Sequence, residues 1–149
     1  MTAISETTTK RQATTGAIGR LIWVSPLAML TATVANLGLY AAAGRLYPEV
    51  TAWLGAGVGQ IVGATIVYLL IGTLAFGIVA WRSTRPARHY TIVATIGLLL
   101  TLAMPIAAGF GYAAPGAPPA DLATVVTLSL MHVMAYTISV PMFTRLALD

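Results

Sequence analysis

Residues 50–81 read VTAWLGAGVGQIVGATIVYLLIGTLAFGIVAW. No charged side chain interrupts this stretch, and it decides the fold. An apolar helix of about 20 residues crosses roughly 30 Å of hydrocarbon. The stretch is longer than that and lacks the strict alternation of a membrane barrel strand, which needs only about 10 residues. Three more charge-free runs follow the same rule: between Arg20 and Arg45, from His89 to Ala120, and from Leu122 to Thr144.

Composition leads to the same place. Of 149 residues, 58% are hydrophobic and only 8% are charged. A soluble domain carries about 25% charged residues. A chain this poor in charge has too little polar surface to cover a core in water, so lipid is the expected solvent. The sequence predicts an all-α integral membrane protein: an antiparallel bundle of four transmembrane helices, with both termini cytoplasmic, in the cell (plasma) membrane.

Boundaries follow from punctuation. Residues 1–16 are polar and threonine-rich and are expected to form a disordered tail. Residues 17–149 form the membrane domain, with spans near 26–44, 58–81, 90–112 and 122–144. Ser25-Pro26 suits an N-cap followed by proline at the first helical position. The other reading is a helix from near Ala17, kinked at Pro26. Pro48-Glu49 starts a short outer helix, with the glutamate complementing its dipole. The glycines Gly55, Gly57 and Gly59 then turn the chain into the second span. Pro105 is expected to kink the third span. Proline and glycine make 113–119 a loop.

Charge placement sets the orientation. Lys10, Arg11 and Arg20 precede the first span; Arg82, Arg85 and Arg88 lie between the second and third; Arg145 follows the fourth. Four antiparallel spans put all of these on one face and leave only Arg45 on the other. The positive-inside rule makes the basic face cytoplasmic. Arg20, Arg82, Arg85, Arg88 and Arg145 are therefore expected to contact lipid headgroups and fix topology. Trp23, Trp81 and Tyr90 fall at the inner boundary, and Tyr40, Tyr47, Trp53 and Tyr112 near the outer one, where amphipathic rings settle. The rival for the first span is a cleaved signal peptide, whose apolar core is usually only about 7–15 residues.

Several chemistries drop out. There are no cysteines, which removes disulfides, thiolate catalysis and Cys-ligated metals. The basic residues sit at segment ends rather than on one soluble face, so nucleic acid is not an expected partner. The two histidines, His89 and His132, differ in depth by about half a span, and too few ligands remain for zinc. No cofactor or metal is expected.

Polar groups inside the hydrocarbon are costly and invite explanation. Asp121, Thr124, Ser129, His132, Tyr136 and Ser139 recur mostly at three- and four-residue steps, so they form a polar stripe facing the bundle interior. Asn36, Gln60 and Tyr68 lie on the first and second spans and face the same interior. The candidate intramembrane cluster is His132, Asn36, Gln60, Tyr136, Ser129 and Tyr68. It reads either as interhelical hydrogen bonding or as a pocket centred on His132. Asp121 is eleven residues, about 16 Å, from His132 along one helix, too far to act on it. No residue is assigned as catalytic. Gly55, Gly59 and Gly63 form small-xxx-small repeats and are expected to pack another helix closely.

Three stretches carry a resemblance: Val34-Ala35-Asn36-Leu37 with Tyr40; Arg85-Pro86-Ala87-Arg88 with Met104-Pro105; and Leu130-Met131-His132 with Val140-Pro141. In these the chain resembles a family of small, uncharacterised bacterial four-helix integral membrane proteins, a domain of unknown function. The resemblance implies the four-span fold and a bacterial inner membrane, and it brings no activity. Three function classes follow. The first is a non-enzymatic structural or accessory subunit, packing against a second copy or a larger membrane complex. The second is a small transporter or channel along the stripe of the fourth span. The third is an intramembrane enzyme or redox carrier at His132. A stripe buried dry between helices argues for the first, and a stripe lining an open cavity for the second.

Overall fold

The computed structural model describes residues 2–112 and 116–148, with side chains from Gly16 onward. It is all-helical, with no strand among the described residues. The helices are α1 (Thr2–Leu46), α2 (Pro48–Ala52), α3 (Val58–Arg82), α4 (Pro86–Thr101), α5 (Ala103–Gly109) and α6 (Leu122–Pro141); a π-helical turn, Met142–Leu146, follows α6. Four stretches are long and apolar enough to cross a membrane: Gly16–Leu46, Val58–Arg82, Pro86–Gly109 and Leu122–Leu146.

Local chemistry explains the boundaries, including those that differ from expectation. Pro26 lies inside α1 instead of starting a helix at Ser25. Its missing N–H leaves the Ile22 carbonyl without its usual partner, a loss that membrane helices tolerate when neighbours support the backbone. One such neighbour contact is here, where Ser25 Oγ meets Thr73 Oγ1 at 3.0 Å. The helix also runs back to Thr2, through residues expected to form a tail, because propagating a helix is far easier than nucleating one. Met1 lies outside the described residues.

Pro48 opens α2 at its first position, as the Pro48-Glu49 pair suggests. Gly57 caps α3, and its N–H donates to Gln60 Oε1 at 3.0 Å. The third span starts four residues earlier than expected, because Pro86 is pre-set for the first helical position. It breaks at Leu102, between α4 and α5. Pro105 is responsible: it has no N–H to donate to the carbonyl of Thr101, four residues back, and its ring crowds that carbonyl. The helix stops at Gly109, so Tyr112 lies beyond it, after Gly111 at φ +80°. Of the expected loop, Ala113, Ala114 and Pro115 lie outside the described residues. Asp121 caps α6, accepting from the Thr124 amide at 2.9 Å and its hydroxyl at 2.8 Å.

The spans form a ring of neighbours. Helix α1 packs on α3 and α6, and α4 packs on the same two; α5 lies on α6 and α4. One end of the bundle is solid. Val24, Ala28, Phe76, Ala80, Tyr90, Val140, Phe143 and Ala147 form a single buried cluster. At its centre the Phe76 ring lies 5.0 Å from Tyr90 and 5.7 Å from Phe143, edge-on to the first and stacked on the second. Each such pair adds about 0.5–1.5 kcal/mol beyond its burial. At the opposite end Tyr40, Ala43, Val50, Ile61 and Met131 form a second cluster. The connections there are tied down by hydrogen bonds from Tyr40 Oη to the Ala56 carbonyl and from Trp53 Nε1 to the Pro118 carbonyl, both 2.8 Å. Tyr40, Trp53 and Tyr90 are therefore buried, not set in an aromatic belt. The Tyr40 hydroxyl and the Trp53 indole N–H find their partners inside, and Tyr90 is held among the rings of the first cluster. Trp23, Trp81, Tyr47 and Tyr112 remain exposed.

Candidate functional site

Between the two clusters the bundle is hollow. A cavity of about 330 Å³ is walled by α3, α4 and α6, with Asn36 reaching in from α1. Small side chains create it: Ala64, Gly72 and Ala75 on α3, Gly97 on α4 and Ala135 on α6 all line the space. A Cβ added at Gly97 meets nothing within 4 Å. The lining includes exposed residues of α3 and α4, among them Ala64, Tyr68, Ile71 and Val93. The cavity therefore opens sideways, between those two helices. Its wall is mostly aliphatic, and no charged side chain among the described residues lines it.

Five of the six polar residues singled out in the sequence meet here: Asn36, Gln60, Tyr68, His132 and Tyr136. Asn36 is only 3% exposed. Its Nδ2 donates to Thr65 Oγ1 at 3.0 Å, while its Oδ1 has no partner among the described residues. An orphaned buried carbonyl costs about 1–3 kcal/mol, and this one belongs to a residue that lines the cavity. Thr33 Oγ1 is a second orphan, but Thr33 is not part of the wall.

His132 sits about midway along the fourth span. Its Nδ1 lies 2.8 Å from the Leu128 carbonyl. A carbonyl only accepts, so Nδ1 carries the proton in the neutral ring and Nε2 presents a lone pair. The Tyr68 ring leans over the imidazole at 5.8 Å. One turn further, Tyr136 Oη lies 2.8 Å from Thr95 Oγ1, which itself donates to the Thr91 carbonyl. The single threonine proton is thus used, so Tyr136 donates to Thr95 and keeps its own oxygen free to accept.

The remaining candidates sort differently. Ser129 Oγ donates to the Val125 carbonyl at 2.8 Å and does not line the cavity. Gln60 spends its carbonyl on the Gly57 cap and leaves its amide NH₂ at the cavity edge. The expected single stripe on α6 is therefore two features: a cap made by Asp121 and Thr124, and a cavity wall of His132, Tyr136 and Ser139. Burial pushes the Asp121 carboxyl up, but the hydrogen bonds from Thr124 outweigh it and hold the group below its ordinary 3.8.

The three glycines of the small-residue strip sit in different settings. Gly55 precedes α3, in a turn where a Cβ would run into the Trp53 indole. Gly59 and Gly63 are on the helix, but nothing lies within 4 Å of where their Cβ would be. At the solid end Arg82, Arg85, Arg88 and Arg145 are exposed and Arg20 is partly buried; Arg82 lies over the Trp81 ring at 5.3 Å. His89 Nδ1, in the first turn of α4, lies 2.6 Å from Ser83 Oγ in the preceding loop, far along the chain from His132. No group of three metal-ligating side chains occurs among the described residues.

Sequence reading missed Thr65 and Thr95, the partners of Asn36 and Tyr136. Threonine is common in apolar runs, and neither position stood out. It also missed the small residues that hollow the wall. The only available signal was the run of Ala and Gly at Ala64, Gly72 and Ala75, spaced to share one face of α3. Comparison with family models, curated proteins and solved structures finds no match, so the functional reading rests on this geometry.

Proposed function

We propose that this chain is a non-enzymatic membrane protein that binds a small lipid-soluble molecule inside its bundle, as a carrier or as a ligand-dependent accessory subunit. The observation that carries this reading is the side-opening cavity of about 330 Å³, in which polar residues from three spans meet. Such a space, apolar with a few convergent polar groups, has the general character of a small-molecule site. A purely structural bundle has no use for the hollow, since packing it with larger side chains would be stabilising. Catalysis is the weaker reading, because no carboxylate among the described residues lines the cavity beside His132, and no hydroxyl among them is hydrogen-bonded to its ring.

The protein sits in the cell membrane with its four spans antiparallel and its termini on the cytoplasmic side. Two observations support this. Ser25 meets Thr73 while Asn36 meets Thr65, so numbering rises along α1 as it falls along α3. Arg20, Arg82, Arg85, Arg88 and Arg145 all lie within a few residues of the same buried cluster, at the solid end, and a basic end favours the cytoplasmic leaflet.

Native mass spectrometry of the chain released from mild detergent tests the binding reading. A lipid-soluble molecule should be retained on the wild-type chain, and Gly97→Leu, which fills the cavity, should displace it. Retention that is unchanged in Gly97→Leu would place the molecule elsewhere and defeat the proposal.

A further inference from the structure

Resting on the cavity reading above, the arrangement of donors and acceptors points further, to the polarity of the ligand. We infer that the cavity selects a neutral lipophile carrying a hydroxyl that donates a hydrogen bond, such as a phenol, a quinol or a long-chain alcohol, over its ether or ketone counterpart.

The argument is a count of what each polar group has left to offer. Asn36 has spent Nδ2 on Thr65, and its buried Oδ1 is an unpartnered acceptor. His132 has spent its Nδ1 proton on the Leu128 carbonyl, and the neutral ring offers Nε2 as an acceptor. Tyr136 has spent its proton on Thr95, whose own proton is held by Thr91, and offers an oxygen lone pair. Three residues on two spans that line the same space therefore each keep a spare acceptor. Of the other polar groups singled out in the wall, the Gln60 amide lies toward the end where α3 begins, and the Tyr68 and Ser139 hydroxyls can act either way.

A carbonyl or ether oxygen brings no proton to these acceptors, and the buried Asn36 Oδ1 would stay unpaired. A hydroxyl supplies the missing proton. The absence of charged side chains among the described lining residues argues against a phosphate or ammonium headgroup entering. The sideways opening between α3 and α4 suits a molecule that arrives from the bilayer.

The test titrates full-length protein in lipid nanodiscs by calorimetry. Three probes of one shape are compared: 4-hexylphenol, its methyl ether 4-hexylanisole, and 4-hexylacetophenone. Each affinity is expressed against the probe's concentration in the bilayer. The phenol should bind at least about tenfold more tightly than either counterpart, the scale expected for pairing one buried acceptor. Asn36→Leu should shrink that advantage. Equal binding of all three, or preference for the ketone, overturns the inference while leaving the cavity as a binding site. Saturable binding of none of them overturns the cavity reading itself. The wild-type series decides the matter even where Asn36→Leu does not fold.

Discussion

The two halves of this bundle use their side chains in opposite ways. At the basic end Phe76, Tyr90 and Phe143 meet ring against ring, and Val24, Ala28 and Ala147 close the gaps around them. Midway along, the same helices present Gly72, Ala75, Gly97 and Ala135 to each other, and a cavity remains. The lesson is that the solid end can hold the helices in register while the middle stays open. Tight packing and the cavity occupy different levels of the bundle. Substitutions in the two regions should therefore behave differently.

The largest effect is expected at the solid end. Phe143 is fully buried against two other rings. Phe143→Ala should cost about 3–5 kcal/mol, read as a lowered midpoint of unfolding in mixed micelles. A cost below about 1 kcal/mol would mean that this end is not packed as described.

Adding volume should separate the halves next. Ala28 is fully buried in the aromatic cluster, so Ala28→Leu should destabilise by about 1–3 kcal/mol through overpacking. Gly97→Leu adds a larger side chain to the cavity wall, where nothing lies in the way. It should be neutral, or stabilising by up to about 1 kcal/mol through helix propensity alone. Thermal unfolding of the pair reads the difference directly.

The polar pair offers a smaller test. Thr65→Val strips Asn36 of its one partner and should cost about 1 kcal/mol. Adding Asn36→Leu removes the stranded amide and should recover most of that loss, because two apolar groups of similar shape need no partner. Additive losses in the double variant, measured by the same unfolding assay, would mean that the two side chains do not act as a pair.

The smallest effect is acidic and lies outside both regions. The Asp121 carboxyl is held below its ordinary 3.8 in the folded protein. A depressed carboxyl stabilises the fold above its unfolded value, and the contribution disappears as pH falls through the folded value. Stability should therefore drop modestly below about pH 3.8. Asp121→Asn, which keeps a capping carbonyl, should remove that component while leaving stability near neutral pH almost unchanged. A pH series of unfolding midpoints checks both.

Much of this was legible in the residues, for identifiable reasons. Charge-free runs mark spans because charge is expensive in lipid, and they located all four apolar helices to within a few residues at most ends. The first span was the exception. Pro26 carries a local signal for a helix start, which was overridden because α1 is held on both sides by α3 and α6. Asn36, Tyr68, His132 and Tyr136 could be singled out because each is a polar group in an apolar run. Ser129 gave the same signal and turned out to bond its own helix, since periodicity cannot tell a side chain that reaches inward from one that folds back. The cavity had no comparable signal. It is made by the facing of small residues from different helices, and sequence spacing along one helix says nothing about what stands opposite.

The most direct test of the central claim uses two methionines already in the chain. Met131 lines the cavity, and Met142 packs against the solid end. With methyl-labelled methionine in nanodiscs, 4-hexylphenol should shift the Met131 methyl resonance saturably and leave Met142 unmoved. Equal, non-saturating shifts at both positions would mean that the probe merely dissolves in the surrounding lipid, and that the hollow middle is not a binding site.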